Sequence, residues 1–271
     1  MKCSSDHKQV LGDVNVAADA KKFTLLNEGS KTVVVDKNDN KVLLIYPNFL
    51  ANDLEQETEN FRMFLKQYGK LPAIKTTSPR HISMGSASGQ VVLGAIYERG
   101  GINCNTSSDT QNSTLTKSEN VDGCNHSTAT EVLYRRTQNL SRMVSAMLKA
   151  WDKDVWNSYQ EVVGLARDIQ TIQPLLVCEQ EVFLCRCLLV NVLSKPHRDL
   201  MDYRNGYAIV VSLGVYTRSY ICFPSLKLRI LILPGTLIIF PSYYLEHYMM
   251  EYEGSERYTY VFFMRQEHFK T

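Results

Sequence analysis

The apolar positions come in blocks whose period changes along the chain, and each change predicts a different element. Thr32-Val-Val-Val-Asp36 and Lys41-Val-Leu-Leu-Ile-Tyr46 flank the turn-forming run Asp36-Lys-Asn-Asp-Asn40. Two such runs around turn residues predict a hairpin. Pro47 to Leu50 end it, and Asn52 with Glu55 form a capping pair for a helix running to about Tyr68. Its apolar stripe is Leu54, Phe61, Phe64, Leu65 and Tyr68, and Gly69 closes it. Ser83 to Gly101 is Gly- and Ser-rich around one strand-like run, Gln90 to Tyr97. From Ile102 to Thr130 almost nothing apolar is available for burial. A long mobile loop is the expectation there, because such a composition cannot offset the entropy of ordering.

Glu131 to about Ile172 restores helical spacing through Leu133, Leu140, Met143, Val144, Met147, Leu148 and Trp151, then Trp156, Tyr159, Val163, Ala166 and Ile169. Two amphipathic helices, broken near Asp152 to Asp154 and laid on a sheet, account for the pattern. Opposite that stripe lie Arg135, Arg136, Arg142 and Lys149, read first as a solvated face and second as a contact for substrate phosphates. From Leu176 the pattern is strand-like throughout, near 184–193, 207–213, 219–223, 226–232, 236–240, 245–251 and 257–265. Short β-branched and aromatic segments punctuated by Gly or Pro predict a sandwich or barrel of the jelly-roll kind. Residues 1–22 show no periodicity and read as a flexible tail. Residues 23–271 read as one domain, with 23–175 supplying the hairpin, the 102–130 loop and supporting helices, and 176–271 the β-core.

Composition adds few constraints. At 271 residues, 44% hydrophobic and 21% charged, the chain is ordinary for a soluble globular protein. The longest apolar run, Ile230 to Phe240, is broken by Pro234-Gly235 and is far short of a bilayer span, so no membrane partner is expected. The polar start, Met1 to His7, has no apolar stretch behind it, which predicts an intracellular protein, nuclear or cytoplasmic. Seven cysteines in no paired spacing then read as thiols, with Cys185 and Cys187 in the core. Asn-x-Ser/Thr sequons at Asn105, Asn112, Asn125 and Asn139 carry no weight without export. A net charge of +2 and a pI near 8.1 neither require nor exclude DNA or RNA as a substrate.

The candidate chemistry lies in Pro196-His197-Arg198-Asp199, a distal His247 and, ten residues beyond it, Arg257. A strand ending at His197-x-Asp199 offers an imidazole and a carboxylate on one face. His247 folded alongside completes two histidines and one carboxylate, the set used by non-haem iron(II) oxygenases. Arg257 lies in the strand-like run Arg257 to Phe263 and can grip a carboxylate bidentately. Asp202 also follows the motif, but its spacing takes it off the face that carries Asp199.

This combination resembles the iron(II)- and 2-oxoglutarate-dependent dioxygenases. The pieces PHRDLMD, GYAIVVSLGVY, FPSLKLRILILPGTLIIFPS, LEHYMM and GSERYTYVFF, from about Leu188 to Phe263, look most like fungal proteins related to the TET and base-J-synthesising oxygenases. Thr217-Arg218-Ser219-Tyr220 stands where such relatives carry a Gly-Gly pair. The resemblance implies an α+β fold, a double-stranded β-helix with supporting N-terminal helices. It also implies Fe(II) on His197, Asp199 and His247, with 2-oxoglutarate and O2 as co-substrates. The far carboxylate of 2-oxoglutarate then meets Arg257, with Thr259 on the same strand face and Tyr258 and Tyr260 on the other. Tyr203, Arg204 and Asn205, in the loop after the ligands, are the candidate substrate contacts. Three functions are compatible: oxidation of a C–H bond on a nucleic-acid base of the 5-methylcytosine or thymine type, hydroxylation of a protein side chain or small metabolite, and an inactive jelly-roll binding module.

Overall fold

The computed structural model describes residues 23–26, 30–74, 78, 80–84, 87–97 and 104–269; the expected tail, 1–22, lies outside them. The predicted hairpin forms from β2 (Thr32–Val35) and β3 (Lys41–Tyr46), preceded by a short β1 (Thr24–Leu26). Helix α1 (Leu54–Tyr68) ends at Gly69, whose φ of 79° suits glycine. The expected Asn52/Glu55 cap does not form: Asp53 is the N-cap and its side chain makes no cap bond. The turn before the helix already satisfies those amides, with Asp53 and Leu54 N–H both donating to the Leu50 carbonyl.

Strands β4 (His81–Ser83), β5 (Gly89–Tyr97) and β6 (Cys104–Thr106) follow. Much of the expected mobile loop, 102–130, is instead structured as β6, α2 (Ser108–Gln111) and the hairpin β7 (Thr114–Val121) and β8 (Cys124–Thr128). Asp122 and Gly123 turn that hairpin with φ of 51° and 79°, the conformation a two-residue turn needs. Hydroxyls and carboxylates take the place of an apolar core. The Ser107 hydroxyl accepts from Thr110 N–H at 3.2 Å, Asp109 accepts from Val92 N–H at 2.7 Å, and the Ser113 and Thr130 hydroxyls bond at 2.8 Å. Polar composition alone hides this, because it counts burial and overlooks side-chain bonds to backbone.

Three helices, not two, cover the next stretch: α3 (Ala129–Arg136), α4 (Gln138–Trp151) and α5 (Lys153–Ala166). The foreseen break falls at Asp152, whose carboxylate accepts from Asp154 and Val155 N–H. The unforeseen one, at Thr137, leaves the apolar spacing undisturbed because its φ of −96° and ψ of 18° stay close to helical. Arg136 pairs with Glu119 of the hairpin and Lys149 sits 4.2 Å over the Trp156 ring.

The remaining strands are β9 (Cys185–Val190), β10 (Val192–Ser194), β11 (Ala208–Arg218), β12 (Tyr220–Phe223), β13 (Leu228–Leu231), β14 (Leu237–Phe240), β15 (Tyr248–Met249) and β16 (Glu253–Phe263). The large sheet runs β2-β3-β14-β11-β16-β9-β5-β6 and the small one β1-β13-β12-β15, with β10 paired to β4 beside it. Alternation along each strand sets the layers. On β11, Ile209, Val211 and Leu213 join the core under the helices, while Ala208 and Val210 join Ile221, Phe223, Ile230 and Met249 of the small sheet. The result is a layer of helices, a large antiparallel sheet and a small sheet facing it: a double-stranded β-helix in an α+β frame, as expected. All six described cysteines are free. Among the described residues no helix is long and apolar enough to cross a membrane.

Candidate metal centre

His197, Asp199 and His247 meet at the mouth between the two sheets, with one donor atom from each lying within 4.8 Å of the others. Strand β10 ends at Ser194, so His197-x-Asp199 lies just past it and is held by other contacts. His197 and His247 exchange backbone bonds, N–H to O at 3.1 and 2.9 Å, which sets the two residues side by side. Asp199 N–H donates to the Ser242 carbonyl at 3.0 Å. Each ring is oriented by a main-chain oxygen: His197 Nδ1 lies 2.7 Å from Lys195 O, and His247 Nδ1 lies 3.0 Å from Leu245 O. A proton held there leaves the Nε2 lone pair of each ring directed at the shared point. Burial, then the neighbouring His247, pushes the His197 pKa down against the pull of Asp199, so its imidazole stays neutral as a ligand must. Phe240 packs on the His247 ring at 4.7 Å between centroids.

The three side chains open onto a cavity of about 220 Å3 walled by Val210, Ile221, Phe240, Met249, Val261 and Phe263. Thr259 lines it as well, and Arg257 lies two residues further in on the same strand face. Gly214 stands opposite Arg257 with φ +110°, and a Cβ there would sit 2.5 Å from Glu256 O. Glycine therefore lets β11 and β16 close at this point. The Arg257 side chain is 1% exposed. Nη1 donates to Val192 O at 3.0 Å and Nη2 to Thr259 Oγ1 at 2.8 Å, while Nε has no partner. No acid among the described residues pairs with it, and burial pulls its pKa down. The Ser212 and Tyr216 hydroxyls lie in the same inner region, with Tyr216 bonded to Ser212 and Arg257. A buried, unpaired cation costs free energy unless something neutralises it. These groups fit an acidic ligand, and the His/Asp/His donors fit a first-row divalent metal.

The other expected residues separate. Thr259 does face with Arg257, while Tyr258 and Tyr260 turn to the helices. Asp202 is not among the grouped donors. It accepts from Ser242 Oγ at 2.5 Å, and burial followed by the charge of Asp199 raises its pKa well above the ordinary carboxylate range. Tyr203, Arg204 and Asn205 do not line the cavity. Tyr203 stacks on Phe269 at 3.6 Å, and the Arg204 guanidinium is 6.0 Å from the Tyr243 ring. In their place Arg80, His81, Gln90 and Arg265 reach the mouth. Burial, then Arg80, lowers the His81 pKa to about 4. No spacing in the sequence marks Arg80, His81 and Gln90, since β4 and β5 reach the site only through long-range pairing to β10 and β9.

No family model and no curated protein matches the chain. Among solved structures, NgTET1 in complex with 5mC DNA aligns with a TM-score of 0.54 at 15% identity, covering 98% of this chain and 89% of that one. The fold is shared. OsALKBH1 aligns at a TM-score of 0.47 and 11% identity, over 87% of this chain and 100% of that one. A prolyl-4-hydroxylase from Pseudomonas putida aligns at 0.44 and 14%, over 86% and 97%. The likeness to the iron(II)/2-oxoglutarate dioxygenases read from the motifs therefore holds at the level of architecture, from one end of the described chain to the other.

Proposed function

We propose that the chain is an iron(II)- and 2-oxoglutarate-dependent dioxygenase that oxidises a C–H bond of a modified or methylated nucleic-acid base. One observation carries the enzyme class: two imidazoles and a carboxylate converge on an apolar cavity, with an acid-free buried guanidinium further in on the same strand face. In this reading His197, Asp199 and His247 hold the metal, and Arg257 with Thr259 holds the far carboxylate of 2-oxoglutarate. Bound together, iron and 2-oxoglutarate supply the reductive activation of dioxygen, with succinate and carbon dioxide as by-products. The chain's own residues do the rest. The Lys195 and Leu245 carbonyls fix the ring tautomers, and Phe240, Val210 and Val261 exclude water from the reacting face. The substrate class is supported by the structural likeness to a protein bound to 5mC DNA and by Arg80 and Arg265 at the mouth, where phosphates can approach.

The test is succinate release from 2-oxoglutarate with Fe(II) and ascorbate, with and without methylated duplex or single-stranded DNA and RNA. Release that His197→Ala abolishes supports the enzyme class, and stimulation by a nucleic acid supports the substrate. Turnover that no nucleic acid accelerates removes the base-oxidising reading and leaves hydroxylation of a protein or metabolite.

A further inference from the structure

We propose that Arg80, immediately before β4 and outside the eight-stranded sheet, is the positioning residue for the metal-binding carboxylate. It holds Asp199 by Oδ1 and leaves Oδ2 turned to the His247 imidazole. This rests on the metal-centre reading above. Arg80 Nη1 donates to Asp199 Oδ1 at 2.8 Å, while Asp199 Oδ2 is 3.5 Å from His247 Nε2. Among the described residues no other side chain hydrogen-bonds that carboxylate; His197 Nε2 lies 3.9 Å from Oδ1.

Arg80 is itself anchored. Its carbonyl accepts from Lys195 N–H at 2.7 Å, two residues before His197, and Nη2 reaches Arg198 O at 3.5 Å. Ser78 Oγ accepts from His81 N–H at 3.0 Å, and Lys195 Nζ donates back to Ser78 O at 3.1 Å. With β4 paired to β10, this turn is tied on both sides to the strand that delivers the ligands. The side chain therefore does more than pair charges on a surface.

Two effects oppose each other when a dication binds. The guanidinium repels it, and the same guanidinium fixes the carboxylate that receives it. The carboxylate lies between the two cations and 42% of the Arg80 side chain is exposed, so the repulsion is screened. Orientation then dominates, and outer partners of metal ligands are worth about 10–100-fold in affinity. Held by Oδ1, Asp199 would offer a metal Oδ2 rather than both oxygens.

The experiment titrates the full chain with Co(II), followed by its visible d–d absorption, for wild type, Arg80→Met, Arg80→Lys and His247→Ala. Urea unfolding of each metal-free protein runs alongside. Arg80→Met is expected to bind Co(II) about tenfold or more weakly, with altered band intensities as Asp199 closes on the metal through both oxygens. Its unfolding midpoint stays at the wild-type value, since a half-exposed pair adds little stability. Arg80→Lys keeps the charge, loses the fork and recovers only part of the affinity. Wild-type affinity and bands in Arg80→Met overturn the proposal. Should that variant fail to fold, Arg80→Lys decides instead: severalfold weaker binding with shifted bands supports it, and a wild-type titration overturns it. The His247→Ala control separates the two readings. A wild type that binds no better than His247→Ala removes the metal centre and this proposal together, whereas binding lost in His247→Ala but intact in Arg80→Met removes Arg80 alone.

Discussion

Among the described residues two arginines are completely buried, both on strands of the large sheet, and they are opposites. Arg186 on β9 faces the helices, and Arg257 on β16 faces the cavity side. Arg186 pairs with Glu181, itself 0% exposed, donates to Tyr260 Oη at 3.2 Å and stacks 3.7 Å over the Tyr134 ring. Burial pushes its pKa down, but Glu181, Tyr260 and Tyr134 more than offset that and the net shift is upward. For Arg257 burial also pulls down; Tyr216 and Tyr252 oppose it weakly, and the net shift is downward. A cation whose neighbours complete it is part of the scaffold. A cation left incomplete at equal depth is a receptor, because the free energy of neutralising it is still available to a ligand.

The largest effect expected from breaking this contrast is on the paired side. Arg186→Met leaves Glu181 buried without a counter-charge and should cost about 3–5 kcal/mol of stability. Urea denaturation measures it, and Glu181→Leu in the same chain should restore most of the loss. If the single variant is as stable as wild type, the pair is not structural. On the receptor side, Arg257→Gln should weaken 2-oxoglutarate by about 2–4 kcal/mol, or roughly 30- to 1000-fold. Metal-free stability should stay level or rise, since an unpaired buried charge is removed. Calorimetric titration of 2-oxoglutarate into the metal-loaded protein reads the first, and thermal melting the second. A fall in stability without a change in affinity would make Arg257 a second structural arginine.

Glu57 sharpens the scaffold side through pH. Burial raises its pKa from 4.5 to about 7, with Asn60 opposing. The folded state thus holds this proton more tightly than the unfolded chain. The stability it contributes is complete below about pH 4.5, falls as pH rises and is gone above about pH 7. Glu57→Gln stays in the neutral form, so at pH 8 it should be more stable than wild type by at most about 3 kcal/mol, and near pH 4 the two should coincide. Parallel stability-pH curves for the two proteins would place Glu57 outside the buried network.

How much of this was legible beforehand follows the range of the interactions. The β-core was readable because its strands alternate and are punctuated locally; the predicted segments at 207–213, 219–223, 226–232 and 236–240 fall on β11 to β14. The triad and Arg257 were readable because their spacing along the chain marks them, although His197, Asp199 and His247 lie just outside the strands. Arg80 was not, since a lone arginine after Ser78-Pro79 shows no pattern and acquires its role only when β4 pairs with β10. The β7–β8 hairpin was hidden for a different reason: hydroxyl bonds from Ser107, Ser113 and Thr130 hold it in place of an apolar stripe. The cost of Arg257 was hidden too, because a sequence displays an arginine but not the missing acid.

The smallest effect tests whether Arg257 needs a neighbour to remain poised. Thr259 Oγ1 accepts from Arg257 Nη2 at 2.8 Å and lines the cavity. Thr259→Val keeps the β-branched shape that packs on the strand and deletes only the acceptor. The guanidinium then loses that bond, worth about 1.5–2 kcal/mol when a charged group takes part. Two outcomes compete. If the hydroxyl serves mainly to aim the fork, 2-oxoglutarate binding weakens about 5- to 30-fold as Arg257 adopts other rotamers. If it serves mainly to offset the buried charge, the freed Nη2 becomes one more donor for the incoming carboxylate. Affinity then holds while metal-free stability drops by a similar amount. The Val192 carbonyl still anchors Nη1 at 3.0 Å, so the side chain keeps its place and retains one degree of freedom about that bond. A loss of aim is therefore the expected result, and measuring affinity and melting temperature on one preparation distinguishes the two.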